Sequence, residues 1–456
     1  MINNPHNRDA SLPHSRRSTR VLFLAWGFSI HAKRRIEVFL NDPSFQVAVA
    51  STHAYEFENA YNILLDGIHH GEAGRVGRHE VPSPPLRDKM KKWFHMARHL
   101  LDPRLFIKIH RILSMEGKAL SVDHLKILLS IFLLPHLRYR LLGDLAKLSS
   151  AIHEFRPDVI FLQTLIYPSY LALLLPASVP LAITFWNGDI LWWAQWDGIE
   201  QLAKKQLVTY GVRNAQAITV NSLQAYRVCR EYGVEEDKII LIRYPGTDLD
   251  LFRPLDKGHA RTKLRIDSPH VVLSPRGLGE YLNTEVIVQA AAQVLKTQGD
   301  TLFIFLSGSE NEIRRHKDLA RTLGIDSRCR WEGPISWEVM PLYYNAADVM
   351  VSISSQDSLP NCMLEAMACG TPVIMGDIPP VREWVEDEKN GFLVPTSDPA
   401  ALSKRLLQLL HDHDKYGSEF SARNMPLIDS LFDSRKNTDQ VKDLVHRLAY
   451  NRLSST

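Results

Sequence analysis

VMVSISSQDSLPNCMLEAMACGTPVI, residues 349–374, is the stretch that decides the fold. Its apolar opening reads as a buried strand that ends near Ser354, and a polar loop carrying Asp357 follows. Residues 361–369 then read as a helix, which Gly370 stops before Pro372 opens the next strand. Strand, loop, helix and strand in that order build a parallel sheet, and such sheets bind ligands beyond the carboxyl ends of their strands. The start of the helix offers backbone N–H groups near residues 359–363, Pro360 excepted, and with the helix dipole these suit a diphosphate. The binding candidates here are Ser358, Leu359, Asn361, Met363 and Leu364. Asp357 and Glu365 can border the same pocket, where carboxylates would accept hydrogen bonds from sugar hydroxyls. A purely structural alternative stays open: Glu365 as a favourable first-turn acid, Asp357 as a solvated loop residue, and residues 366–368 as helix packing.

Working outward, the same alternation recurs. Strands are expected at residues 271–274, 302–307, 330–333, 349–352, 372–374 and 392–394, with helices at 284–298 and 312–323, so the second half is a doubly wound α/β unit. The first half alternates as well, with strands at 21–24, 46–50, 159–162, 181–185, 217–220 and 239–242 and a helix at 32–40. Asn221 or Ser222 can cap a helix over 226–232, and Gly233 ends it. The chain of 456 residues suits two domains of roughly 200 residues each. The turn-rich 244–248 marks their boundary. We expect a flexible terminus at 1–19, a first Rossmann-like domain at 20–250 and a second at 251–425. Residues 426–456 are expected to form a C-terminal helix that returns to the first domain.

Charge and composition exclude several classes. Fifty-four basic against 51 acidic side chains leave a formal charge of +3, so no strong field argues for nucleic acid. Cys229, Cys329, Cys362 and Cys369 lack the paired spacing of a zinc site, and a reducing cytoplasm fits them. Residues 159–186 carry no charge over a length that could span a membrane, but Pro168, Pro176 and Pro180 divide them into strand, helix and strand. Ser15-Arg16-Arg17 before the apolar run 21–30 has the order of an export signal, yet a first buried strand reads better. Residues 86–113 mix basic and large apolar residues. They read as an amphipathic helix packed on the sheet, or as a peripheral membrane contact at the inner face.

The segment 357–374 resembles the donor-binding signature of retaining glycosyltransferases of family 4: an acid, seven residues, then Glu in a run like LEAMACGTPVI. IRYPGTDLDLFRP (242–254) is similar to the family's interdomain linker. NAADV (345–349) and NGFLV (390–394) fall in the expected order around the signature. The likeness covers roughly residues 20–422 in layout and is specific mainly from Ile218 onward. It implies the GT-B fold, two doubly wound Rossmann-like domains facing a central cleft. It also implies transfer of a sugar from a nucleotide-diphosphate sugar to a glycan, lipid-linked or small-molecule acceptor, with retained anomeric configuration.

Carried over position by position, Glu365 holds the nucleotide ribose and Asp357 contacts the donor sugar where most members have Glu. Arg276, in Ser274-Pro275-Arg276-Gly277, matches the diphosphate-binding arginine; its bland alternative is a solvated loop residue. Tyr281 stands about where the family has a lysine, and losing one charged hydrogen bond of roughly 1.5–3 kcal/mol weakens such a site without abolishing it. Where the family often has histidines, this chain has Gln163 and the run Phe185-Trp186-Asn187-Gly188-Asp189. Asp189 is the third candidate catalytic residue, with Asn187, Gly188, Gln163 and His31 beside the acceptor. A conformational Asp-Gly turn and a surface histidine are the alternatives. Trp186, Trp192, Trp193 and Trp196 can stack on an acceptor or simply pack. No Asp-x-Asp cluster stands at a strand end, so neither a metal nor any other cofactor is expected. A non-catalytic nucleotide-sugar-binding scaffold and a nucleotide-sugar epimerase or phosphorylase are the rival readings.

Overall fold

A computed structural model describes residues 18–25, 30–52, 57–66, 121–134, 141–175, 178–186, 190, 198–357 and 359–455. Contacts divide the chain into two compact units. The first comprises Met1–Ile183, Gly198–Gln216 and Leu444–Thr456; the second comprises Thr184–Asp197 and Ala217–Asp443.

Among the described residues, one sheet contains β1 (Thr19–Ala25), β2 (Phe45–Ser51), β3 (Tyr61–Leu64), β4 (Val159–Leu162), β5 (Leu181–Thr184), β6 (Ala217–Val220) and β7 (Ile239–Leu241). Its order is β3-β2-β1-β4-β5-β6-β7. β1 runs parallel to both β2 and β4 and so is an interior strand; its run Val21–Ala25, VLFLA, is buried throughout, as in a parallel strand covered on both faces. Phe23 packs on Phe39 and Phe161 at ring separations of 5.1 and 5.6 Å. The uncharged stretch 159–186 is indeed broken into β4, the short helix Ser169–Ala172 and β5. Among the described residues no helix is long and apolar enough to cross a membrane. Residues 86–113 and 15–17 lie outside the described residues.

The second sheet holds β8 (His270–Ser274), β9 (Thr301–Phe305), β10 (Cys329–Trp331), β11 (Val349–Ser352), β12 (Val373–Gly376) and β13 (Phe392–Val394) in the order β10-β9-β8-β11-β12-β13. Every pairing in it is parallel. Alternate strand residues point to opposite faces. Val271, Leu273, Met350, Val373 and Met375 join one core with the helices Lys257–Leu264, Met340–Ala346 and Asn361–Ala368. Val272, Val349, Val351 and Ile374 join another with the helices Thr284–Val294 and Pro399–His411. Burying each such side chain fully contributes roughly 1.5–3 kcal/mol. The strand order reverses between β8 and β11, so the loops that follow these two strands open at the sheet's switch point.

Two polar residues of the NAADV segment anchor this unit. Asn345 accepts from Leu255 N at 2.7 Å and donates to Arg253 O at 3.0 Å. Buried Asp348 accepts from Val271 N, Lys257 and Arg261 at 2.7, 2.9 and 2.8 Å. Residues 426–456 fall on two helices, His413–Leu431 and Ser434–Ser455, where the sequence suggests one. His446, on the second of these, stacks on Phe45 at 4.2 Å and sits 2.9 Å from Thr19 Oγ1.

Several expected boundaries hold. Ser222 Oγ accepts from Ala225 N at 3.1 Å and caps Leu223–Glu231, and Gly233 follows with φ +78°. β3 and the helices Leu141–Phe155, Gly198–Asn214 and Lys257–Leu264 are additions that the alternating pattern did not reveal.

Candidate functional site

The switch point of the second sheet brings Arg276 and Asp357 together. Arg276 lies two residues past β8, and Asp357 lies in the loop that follows β11. The two form an ion pair, with Arg276 and Asp357 side chains 26% and 13% exposed. Arg276 Nη1 also donates to Ser354 Oγ at 3.2 Å, and that hydroxyl lies 3.5 Å from Asp357 Oδ2. Burial alone would depress the guanidinium, but the Asp357 carboxylate outweighs it and holds Arg276 well above its ordinary value. The bland reading of Arg276 as a solvated loop residue is therefore overturned.

The two loops are also joined through their backbones. Ser355 N donates to Tyr281 O at 2.9 Å, and Asn283 Nδ2 donates to Ile353 O at 2.9 Å. Tyr281, in the lysine's place, is thus held by its carbonyl while its residue stays 42% exposed. Gly376 ends β12 beside them; a Cβ there would sit 2.9 Å from Ser354 O, so the close approach requires glycine.

The helix Asn361–Ala368 starts from this loop. Gly370 terminates it with φ +76°, Gly370 N reaching Met367 O at 3.1 Å and Thr371 N reaching Ala366 O at 2.9 Å. That pairing satisfies the carbonyls the helix end leaves open. At its start, Met363 N and Leu364 N both donate to Pro360 O, at 3.0 and 3.3 Å. With their side chains buried too, Met363 and Leu364 are corrected from ligand donors to parts of the first turn and core. The first two helical positions, Asn361 and Cys362, are the ones a helix leaves without an internal acceptor. Leu359 is buried, and Ser358 lies outside the described residues.

Glu365 is the fifth residue of this helix, past its first turn. Its Oε2 accepts from Tyr344 OH at 2.8 Å. Burial, with the Glu365 charge adding to it, pushes the Tyr344 hydroxyl well above its ordinary value. The phenol therefore stays protonated and fixes one carboxylate oxygen. Burial likewise pushes the Cys362 thiol up to about 12 despite nearby Arg276.

Arg276, Tyr281, Asp357, Asn361 and Glu365 thus share one unit. Gln163 and His31 belong to the other. Gln163 is buried at the end of β4, its N–H donating to Leu24 O at 2.9 Å. His31 is the second residue of the helix Ile30–Leu40. Asn187, Gly188, Asp189, Trp192, Trp193 and Trp196 lie outside the described residues; Trp186 packs near Tyr244, ring centroids 5.9 Å apart. Among the described residues no three His, Cys, Asp or Glu side chains cluster as a metal site requires.

Residues 95–251 match the model of the family described as Glycosyltransferase Family 4, and residues 256–423 match that described as Glycosyl transferases group 1. The chain belongs to the family 4 glycosyltransferases. It is 30% identical over 208 residues to D-inositol 3-phosphate glycosyltransferase 1 of Catenulispora acidiphila, a match that covers 43% of this chain and 50% of that protein. The chain thus spans about half the length of the curated relatives it matches. Two solved structures share its GT-B fold: sucrose-phosphate synthase from Thermosynechococcus elongatus (TM-score 0.66, 18% identity) and Anabaena HepE in complex with UDP and glucose (TM-score 0.66, 16% identity). Each match covers 94% of this chain and 99% of the other.

Sequence reasoning missed Ser354, Asn283 and Tyr344 at this site. A hydroxyl just past a strand, next to the switch point, is a signal for Ser354. Tyr344 directly precedes NAADV but shows nothing that pairs it with Glu365, 21 residues on.

Proposed function

We propose that this protein transfers a sugar from a nucleotide-diphosphate sugar to a glycan, lipid-linked or small-molecule acceptor, retaining the anomeric configuration. The observation that carries the reading is the convergence of Arg276, Asp357 and the Asn361–Ala368 helix start on one switch point. A diphosphate leaving group develops charge as the glycosidic bond breaks. A half-buried guanidinium and a helix N-terminus are fixed partners for that charge. Glu365, steadied by Tyr344, accepts hydrogen bonds from the ribose hydroxyls, and Asp357 accepts from the donor sugar. Tyr281 lines the same loop. On the acceptor side the reading keeps Gln163 and His31, and Asp189, Asn187 and Gly188 as sequence assignments. It requires no divalent metal, because Arg276 and the helix start meet the diphosphate charge. The four cysteines are free, which fits a cytoplasmic setting.

A thermal-shift panel of uridine, guanosine and adenosine diphosphates and their sugars tests the proposal, because a ligand bound only by the folded state raises its stability. One nucleotide series should raise the melting temperature, and the matching sugar nucleotide should release its diphosphate when acceptor is added. No shift with any series would refute the donor assignment. A shift without turnover would favour the scaffold reading, which the tyrosine in place of a second cation supports.

A further inference from the structure

The loop that carries Arg276 is tied to the loop that carries Asp357 through one asparagine side chain. Asn283 stands just before the helix Thr284–Val294, where an asparagine ordinarily accepts from the first turn with its side-chain oxygen. Here it makes no such cap. Its Nδ2 donates instead to Ile353 O at 2.9 Å, across 70 residues of sequence. A carbonyl can only accept, so this contact fixes which end of the amide faces Ile353. The backbone of Asn283 is left-handed, with φ +53°, a conformation that asparagine adopts more readily than most residues other than glycine. Backbone geometry and side-chain chemistry both call for asparagine at this position.

Ile353 lies between β11 and Ser354 and is fully buried. The bond from Asn283 is one of three that lace 281–283 to 353–355, because Ser355 N and Ser355 Oγ both donate to Tyr281 O, at 2.9 and 3.2 Å. Ser355 is exposed, so water replaces its bonds at little cost. Losing the Asn283 amide takes a side-chain donor away from the carbonyl of a buried residue, which costs more. Ser354, inside the laced segment, accepts from Arg276 Nη1 at 3.2 Å, and Asp357 follows three residues later. On its other flank the Arg276 loop backs onto the end of β9, where a Cβ on Gly277 would sit 3.1 Å from Ser307 O.

We infer that Asn283 is a positioning residue of the donor site. Its amide sets the separation of the two loops, and with it the place where Arg276 and Asp357 meet a sugar diphosphate. Asn283 acts through Arg276 and not on the ligand. The inference rests on the donor reading proposed above.

Calorimetric titration of uridine, guanosine and adenosine diphosphates into the full chain tests it, through a double-mutant cycle with Arg276→Ala. Asn283→Gly keeps the left-handed backbone and deletes the amide. It should weaken the best-binding diphosphate about fivefold when Arg276 is present and less than about twofold when Arg276 is alanine. Asn283→Asp keeps the shape but turns an acceptor toward the Ile353 carbonyl, and should weaken binding more than Asn283→Gly does. A purely structural asparagine would lower the melting temperature and cost the same factor in both backgrounds, or none, and either result overturns the inference. Unfolding of both Asn283 variants overturns it as well. If no diphosphate binds the wild type, the donor reading falls and the inference falls with it. If the wild type binds and the cycle is additive, the inference alone falls.

Discussion

Arg276 and Asp357 form an ion pair although 81 residues separate them and they follow different strands. The cation proposed for the diphosphate is thus already neutralised by the acid proposed for the sugar. A donor arriving at this site competes with Asp357 for the guanidinium while offering Asp357 a hydroxyl in exchange.

Asp357→Asn removes that competition and one negative charge beside the phosphates. Nucleoside diphosphate affinity should stay the same or rise several-fold, while sugar transfer falls by about tenfold or more. Calorimetric titration and steady-state turnover measure the two separately. A large loss of diphosphate affinity would mean that Asp357 holds Arg276 in place and does not compete for it.

Tyr344→Phe deletes the donor that fixes Glu365 Oε2. The cost should be about 1 kcal/mol, or roughly fivefold in nucleotide affinity. If Glu365 binds the ribose, the loss should shrink for 2′,3′-dideoxy nucleotides. An equal loss for ribose and dideoxyribose forms would remove Glu365 from the ribose site.

Gly246 has φ +73°, and a Cβ on it would run into the Phe432 carbonyl. That carbonyl also accepts from Thr247 N at 2.6 Å, and Thr247 O accepts from Ser434 N at 3.0 Å. Gly246→Ala therefore combines an unfavourable backbone conformation with a collision against main chain, and stability should drop by about 2 kcal/mol or more. Urea unfolding checks it; a loss below about 0.5 kcal/mol would contradict the packing described.

Burial pushes the Cys329 and Cys362 thiols up to about 12, from an ordinary value of 9.0. The folded chain then holds these protons longer than the unfolded chain does. Their effect on stability is absent below the unfolded value, and stability falls as the pH rises from there toward 12. Urea midpoints should therefore drop between about pH 8.5 and 10.5, and less steeply in Cys329→Ala with Cys362→Ala. The same slope in the variant would mean that other groups carry the alkaline loss.

Much of the second sheet was legible because its signals are local. Apolar runs alternate with capped helices, and Gly370 marks one helix end through its own backbone preference. β3 was not legible: three of its four residues, Tyr61, Asn62 and Leu64, are exposed, so no buried run announces it. The helix Gly198–Asn214 was obscured by Lys204, which looks like a solvated lysine. It is buried instead, donating to Leu165 O at 3.0 Å and to the Tyr170 hydroxyl. At the site, residue types could be read but their pairings could not. Arg276 with Asp357 and Tyr344 with Glu365 meet only once the strand order places their loops and helices side by side.

Titration calorimetry of the best-binding nucleoside diphosphate against wild type and Arg276→Ala tests the donor site most directly. A charged hydrogen bond is worth roughly 1.5–3 kcal/mol, so the variant should bind about 10- to 150-fold more weakly while remaining folded. Equal affinity in a folded variant would contradict the site.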